Sequence, residues 1–442
     1  MYLFSNYQIT KSNYFSLLIS LLPISFIAGN MIININVVLT IISALIIFRK
    51  KLFQINFYTL DKLLVSFFFL VLFTGIYNDI MIHNKDRDFS DWRGDYGTIM
   101  KSLLFFKYLF FYIVLRFLIE KKFLTLKLFF ITATLSSLFV CFDIFIQYYF
   151  GKDIFGHKII YDRKLSGPFG DELIAGGYIQ RFSLFAFFLL PIFYNKFSKR
   201  ILKYFVTFLL ITFLFGLVFA GNRMPLILFI LSLILIIIFQ KQTRKFFLPF
   251  AIFFTLFYFA IVNFSPQVKK NFNNFYDQVT DMVMIVVNRD VESQKTPPYL
   301  KEFSTFYETW KLNKYVGGGI KNFRYYCHKR DKIDKNSKFI CNMHPHNYYL
   351  EILTETGVVG FFIIGVIFIL VIYISLYKKY FTKSNLNHSN LIIPFIFLFI
   401  VEIFPIKSSG SFFTTGNATY LILIMSILVS LSRINNSIEN KI

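Results

Sequence analysis

The sequence predicts an all-α polytopic membrane protein with about twelve transmembrane helices, and composition is the first reason. Of its 442 residues, 56% are hydrophobic and only 16% are charged, whereas soluble globular chains have about 25% charged residues. The apolar residues fall in long runs separated by polar stretches. A run of about 20 apolar residues crosses the hydrocarbon core as a helix, because backbone polar groups in lipid must be satisfied within the segment.

Twelve apolar segments approach this length. Their approximate bounds are 14–29, 31–48, 62–79, 101–119, 128–149, 172–194, 204–220, 224–240, 246–263, 350–377, 390–406 and 416–432. The first run has no small-x-small cleavage site and a second run follows at once, which favours a retained span over a signal peptide. The chain then divides into spans 1–9 (residues 1–263), one large loop (264–347), and spans 10–12 with a C-terminal tail (348–442).

Basic residues in the short loops predict how the chain is oriented. Lysine and arginine cluster after the second, fourth, sixth, eighth and tenth spans, as in Arg49–Lys51 and Lys378–Lys379. Loops rich in Lys and Arg remain in the cytoplasm. We therefore expect both termini in the cytoplasm and the loop 264–347 outside it. The net charge of +23 then indicates contact with anionic lipid rather than with nucleic acid.

Two of the three cysteines, Cys327 and Cys341, lie in the predicted external loop, while Cys141 lies in span 5. An oxidising compartment would allow the first two to pair. In the chain-entropy model, a disulfide that closes a loop of about 15 residues adds about 3 kcal/mol to the free energy of unfolding. The sequence alone leaves the pairing open.

Ionisable residues in or beside the spans are candidate binding residues, because each is costly in a bilayer. Glu172 lies at the outer end of span 6 and Arg181 lies deeper in it. Arg223 follows at the outer turn between spans 7 and 8, and Arg163 precedes span 6. Arg181 could pair with Glu172 or another acid, while Arg223 reaches the interface. Alternatively, the arginines form an anion pocket, because the guanidinium fork suits bidentate phosphate contact.

The stretch HPHN, His344 to Asn347, marks the junction between the polar loop and span 10. Pro345 is tolerated near the first turn of a helix, so a helix is predicted to start close to His346 and Asn347. The positive end of the helix dipole disfavours the imidazolium, and a neutral imidazole can act as a general base. A surface histidine without a role and a metal ligand set with Cys341 remain alternatives. The Cys-x-x-His-x-His spacing is not a standard zinc pattern, so we predict no metal.

Four stretches together resemble the O-antigen ligase and polymerase superfamily of lipid-linked glycan transferases. HPHNYYLEILTETGVVGF contains an HN-x-x-L-x-x-x-x-E-x-G pattern similar to the family signature. NKYVGGGIKNFRYYC resembles its glycine-rich stretch before a Phe-Arg, AGNRMPLIL its arginine turn between two spans, and FGDELIAGGYIQRF its arginine-bearing span. Twelve spans with one large late loop are also typical of that family.

The resemblance implies a GT-C-like, metal-independent and inverting glycosyltransferase of the bacterial inner membrane, without a cofactor. The donor would be a glycan on undecaprenyl diphosphate, and the acceptor lipid A-core or another lipid-linked glycan, at the periplasmic face. By matching motif, His346 would be the catalytic base, with Arg181 and Arg223 on the diphosphate. Further candidates for substrate contact are Arg324, Asn347, Glu172, Arg163 and His344.

Three alternatives remain open. The sequence does not separate a ligase from a polymerase. A transporter of lipid-linked sugars also needs intramembrane arginines, but it predicts internal symmetry, and no repeat is detectable. Gly317–Gly319 could cradle phosphate through backbone N–H groups or could simply form a turn.

Overall fold

The computed structural model describes residues 10–83, 97–159, 164–194, 198–240, 298–330, 341, 346–382, 390–407 and 410–437, with a few positions between 273 and 284. These residues form helices and connecting turns, without a β-strand among them. The α-helices are α1 (Lys11–Ser20), α2 (Leu22–Ala28), α3 (Asn30–Phe48), α4 (Thr59–His83), α5 (Gly97–Phe105), α6 (Lys107–Glu120), α7 (Lys127–Phe150), α8 (Ala175–Phe182), α9 (Leu184–Phe193), α10 (Lys199–Ala220), α11 (Arg223–Phe239), α12 (Pro298–Trp310), α13 (Phe323–Cys327), α14 (Tyr348–Ile372), α15 (Lys378–Phe381), α16 (Ile393–Glu402) and α17 (Thr415–Ser437).

The predicted fold class, an all-α polytopic membrane protein, is confirmed over the described part of the chain. There, nine helices or helix pairs are long and apolar enough to cross a membrane, and α11 and α16 are shorter apolar helices. These eleven correspond to eleven of the predicted spans. The predicted span 246–263 lies outside the described residues, so the total of twelve remains a prediction, as does the GT-C-like relationship.

Helix α17 is the most enclosed of the described spans. Of its hydrophobic window, 83% is buried, and it packs mainly along α6. Its serine hydroxyls bond back to the preceding turn: Ser426 donates to Ile422 O at 2.6 Å and Ser430 to Ser426 O at 2.7 Å. These two hydroxyls are thus satisfied within the helix, and small side chains allow close helix contact.

A charge-balanced cluster joins α4, α6 and α17 at one end of the bundle. Asp61 is completely buried and forms salt bridges with Arg116 and Arg433, each at 2.9 Å. It also accepts a hydrogen bond from the Tyr112 hydroxyl at 2.6 Å. Glu120 pairs with Arg116 at 2.8 Å and with Arg433 at 3.7 Å. Two arginines therefore meet two carboxylates, as burial of charge requires.

Helices α12 and α13 pack on the start of α14 at the opposite end of α4. The rings of Phe306 and Phe323 stack with centroids 3.6 Å apart, and a disulfide joins Cys327 to Cys341. These contacts hold the described part of the predicted loop against the segment that leads into α14.

Candidate active site at the start of helix α14

Asn347 is the N-cap of α14, which places the helix start where the sequence predicted it. Its Oδ1 accepts from the backbone N–H groups of Tyr349 at 3.0 Å and Leu350 at 3.1 Å. Its Nδ2 donates to the carbonyl oxygens of Pro405 at 2.8 Å and Lys407 at 3.3 Å. Asn347 thereby fixes the helix start against the turn after α16. Its direct contact with substrate remains a prediction.

His346, immediately before this cap, has a left-handed backbone conformation with φ of 49°. Such a conformation is rare for residues other than glycine and is found preferentially at functional sites. The side chain is partly buried. The backbone therefore holds His346 in a defined conformation at the end of the bundle, while its role as a base remains a prediction. His344, the competing candidate, lies outside the described residues.

Arg181 pairs with Glu402 of α16 rather than with Glu172, which is exposed. Its Nη2 lies 2.7 Å from Glu402 Oε1 and its Nε donates to Oε2 at 3.2 Å. Nη2 also approaches Asn417 Oδ1 at 2.6 Å and the Tyr348 hydroxyl at 3.3 Å. The predicted acidic partner therefore exists, but it comes from a span more than two hundred residues away.

Glu402 also binds a second cation, Lys407. Lys407 Nζ lies 2.6 Å from Glu402 Oε1 and 3.3 Å from the Tyr348 hydroxyl. The exposed fraction of the side chain is 1% for Glu402, 5% for Lys407 and 14% for Arg181. Burial lowers the pKa of the Lys407 amine to about 8, although Glu402 opposes this shift. We call Arg181, Tyr348, Glu402, Lys407 and Asn417 the Glu402 cluster.

Glu351 anchors the neighbouring turn to α14. Its carboxylate accepts from Ser411 Oγ and from Phe412 N, both at 2.5 Å. Lys321 Nζ lies 3.6 Å from Glu351 Oε1 and donates to Ser411 Oγ at 2.8 Å. Glu351 does lie in the first turn of the helix, as dipole electrostatics favours, but its oxygens are used to hold the turn before α17.

The glycine run Gly317–Gly319 packs against a kink in α14. The N–H of Gly318 donates to Thr354 O at 3.0 Å and that of Gly319 to Glu355 O at 2.9 Å. Gly357 has φ of 68° and a Cβ there would lie 2.1 Å from Tyr315 O. The N–H of Gly317 donates to Asn313 O at 3.0 Å. These amides are therefore not available to a phosphate, and the cradle alternative is wrong.

The arginine turn before α11 packs on the start of α8. Gly176 N donates to Asn222 Oδ1 at 3.2 Å, and Asn222 Nδ2 donates to Leu173 O at 3.1 Å. A Cβ on Gly176 would lie 2.8 Å from Asn222, so close approach requires glycine. Arg223, the first residue of α11, is partly exposed beside this contact. Two of the motifs are thus joined directly.

Arg324 is exposed on α13, and Arg163 lies outside the described residues. Sequence reasoning missed Glu402 and Lys407, although the same criterion that selected Arg181, an ionisable group within an apolar span, applies to Glu402. Over the described ranges, no three His, Cys, Asp or Glu residues are grouped as a metal site.

In a comparison with known protein families, one region of the chain matches a family model. A family model described as O-antigen ligase matches residues 208–365. This region contains Arg223, the glycine run and His346, and it ends before Glu402. No curated protein matches the chain. This match supports the resemblance to the O-antigen ligase and polymerase superfamily noted from the sequence.

Proposed function

We propose that the protein transfers a glycan from undecaprenyl diphosphate to an acceptor hydroxyl. The match of residues 208–365 to the O-antigen ligase family model supports this proposal. The acceptor is lipid A-core, so that the protein acts as an O-antigen ligase at the periplasmic face of the bacterial inner membrane. The observation that carries this proposal is that residues of the separate sequence motifs contact one another near the start of α14.

Three contacts join these motifs. Arg181 of the DELIAGGYIQRF stretch lies 3.3 Å from Tyr348 of the HPHNYY stretch. Asn222 of the AGNR turn bonds to Gly176 of the first stretch at 3.2 Å. The glycine run bonds to Thr354 and Glu355 of α14. Residues from distant parts of the chain therefore share one end of the bundle, as a common site requires.

In the proposed reaction, His346 accepts the proton of the acceptor hydroxyl as its oxygen attacks the anomeric carbon. The bond from that carbon to the diphosphate oxygen breaks, and the electron pair leaves with the diphosphate. Arg181 and Arg223 stabilise the growing negative charge, which fixed cations do best in a low-dielectric site. One direct displacement inverts the anomeric carbon. Side-chain cations thus supply the charge stabilisation that a metal provides in other transferases.

The test is transfer by purified full-length protein in liposomes, given an undecaprenyl-diphosphate-linked oligosaccharide with and without lipid A-core. Glycan should appear on lipid A-core, and His346→Ala should lower the rate about a hundredfold or more. His328→Ala is the matched control, because His328 is exposed at the end of α13. This variant should retain the wild-type rate.

Other outcomes separate the alternatives. Longer glycans that remain on undecaprenyl diphosphate would identify a polymerase. Loss of transfer in His344→Ala, with full activity in His346→Ala, would move the role of base to His344. If folded protein transferred glycan to neither acceptor, the result would contradict the proposed glycosyltransferase activity and favour a transporter of lipid-linked sugars.

A further inference from the structure

We infer that Lys407 and Arg181 together bind the diphosphate of the donor, and that Glu402 positions both cations. This inference rests on the proposed function and extends its anion site to a residue beyond the matched region 208–365. The ligand class is a diphosphate ester of a long-chain lipid. Three observations carry the inference: the charge of the Glu402 cluster, its unused donors and its place in the fold.

The charge of the cluster is unbalanced. Arg181 and Lys407 share one carboxylate, Glu402, and the other members are neutral. The next carboxylate, Glu351, is engaged by Lys321, Ser411 and the backbone of Phe412. The cluster at the opposite end instead pairs two arginines with two acids. A buried net positive charge is costly unless an anion compensates it.

The wider surroundings do not remove this imbalance. Glu355, one turn further along α14, interacts electrostatically with Glu351, Lys321 and Lys101. If Glu355 is ionised, these two lysines balance it and Glu351. The excess charge thus remains on the pair formed by Arg181 and Lys407.

Both cations keep hydrogen-bond donors that the described residues do not use. Arg181 donates through Nε and Nη2, which leaves the two N–H groups of Nη1. Lys407 makes two bonds, and an ammonium has three donors. A side chain that is 95% buried would not normally retain an unpaired N–H. A phosphate oxygen would satisfy these donors with strong charge-assisted bonds.

The position of the cluster suits this ligand. Lys407 O accepts from Asn347 Nδ2 at 3.3 Å, so the turn that carries Lys407 contacts the residue next to His346. Glu402 ends α16 and Tyr348 begins α14, which places the cluster at the ends of apolar helices. A lipid-linked diphosphate lies at this depth, with its chain among the helices and its sugar outside.

The experiment measures binding of undecaprenyl diphosphate to full-length protein in nanodiscs of zwitterionic lipid. Lys407→Met should weaken binding about tenfold or more, because a hydrogen bond to a charged group is lost, while Lys407→Arg should retain affinity within about threefold. Lys311→Met is the control, since Lys311 is partly exposed and pairs with Glu308. Unchanged affinity in folded Lys407→Met would overturn the inference.

A second measurement avoids dependence on that variant's folding. With a glycan-linked diphosphate, whose charge does not change above neutral pH, wild-type affinity should fall as pH rises through about 8, because the Lys407 amine loses its proton. Lys407→Arg should abolish this decline, since arginine stays charged. Identical pH profiles for both proteins would contradict the inference.

The transfer assay separates this inference from the proposed function. Lys407-dependent binding without any transfer would leave the diphosphate site standing and reject the transferase. Full transfer and full affinity in Lys407→Met would retain the transferase and reject the assignment of Lys407.

Discussion

At the scale of single residues, Glu402 is the centre of the candidate site. One carboxylate receives Arg181, Lys407 and the Tyr348 hydroxyl, the last at 2.5 Å. Each of these groups comes from a different helix or turn, so removing Glu402 leaves several partners unpaired at once. Arg181 was visible from the sequence, because it lies in an apolar run. Glu402 lies inside the predicted span 390–406, but the sequence could not show that it pairs with Arg181, because the two spans are far apart in the chain.

The first prediction concerns this carboxylate. Glu402→Gln should lower the free energy of unfolding by about 3 kcal/mol, because two buried cations lose their counter-charge. Added undecaprenyl diphosphate should recover part of the loss, since its charge replaces the carboxylate. Thermal unfolding in detergent with and without the lipid measures both effects. Glu172→Gln, at an exposed position in the motif that contains Arg181, should change stability by less than about 0.5 kcal/mol. Equal effects of the two variants would argue against the pairing.

At the scale of elements, α14 is one helix in sequence but bends where another segment binds it. Gly357 interrupts the helix with φ of 68° and ψ of −171°. The N–H groups of Val358 and Val359 consequently donate to Lys314 O at 2.9 Å and Tyr315 O at 3.2 Å. The glycines of the two motifs therefore permit one backbone to approach another. Their pattern in the sequence was visible, but a glycine run alone does not distinguish a phosphate cradle from a backbone contact.

The second prediction tests this contact. Gly357→Ala should destabilise the protein and lower transfer, because its Cβ would lie 2.1 Å from Tyr315 O and the residue would have a left-handed conformation. Gly365→Ala is the control in the same helix, since a Cβ there has no neighbour within 4 Å. That change should be neutral or stabilising by about 0.5–1 kcal/mol. The free energy of unfolding and the transfer rate are measured for both. Similar behaviour of the two variants would show that the kink is not required.

At the scale of the whole molecule, the bundle has two different ends. One end contains the neutral Asp61, Arg116, Glu120 and Arg433 cluster, and the other contains the Glu402 cluster with its excess positive charge. The sequence predicted eleven apolar segments that appear as described helices, because length and hydropathy are local properties. It could not predict which charged residues meet, because Arg181 and Glu402 are brought together only by tertiary packing. The motifs predicted a site at the start of α14 but not the hydrogen-bond network around Glu402.

The third prediction concerns the orientation of these ends, which rests on the basic loops. Tyr315 is 76% exposed beside the kink of α14, and Lys121 is exposed just after Glu120. Tyr315→Cys should react with a membrane-impermeant maleimide in spheroplasts, and Lys121→Cys only after lysis. The native cysteines should not react with the maleimide, because Cys141 is buried and Cys327 is disulfide-bonded to Cys341.

Lysed membranes provide the control, since both variants should then be labelled. The reverse pattern in intact spheroplasts would place His346 and the Glu402 cluster on the cytoplasmic side. A donor presented at the periplasmic face could not reach them there. The charge asymmetry between the two ends would then require a cytoplasmic anion as its ligand, and the proposed transfer reaction would be excluded even if the diphosphate bound.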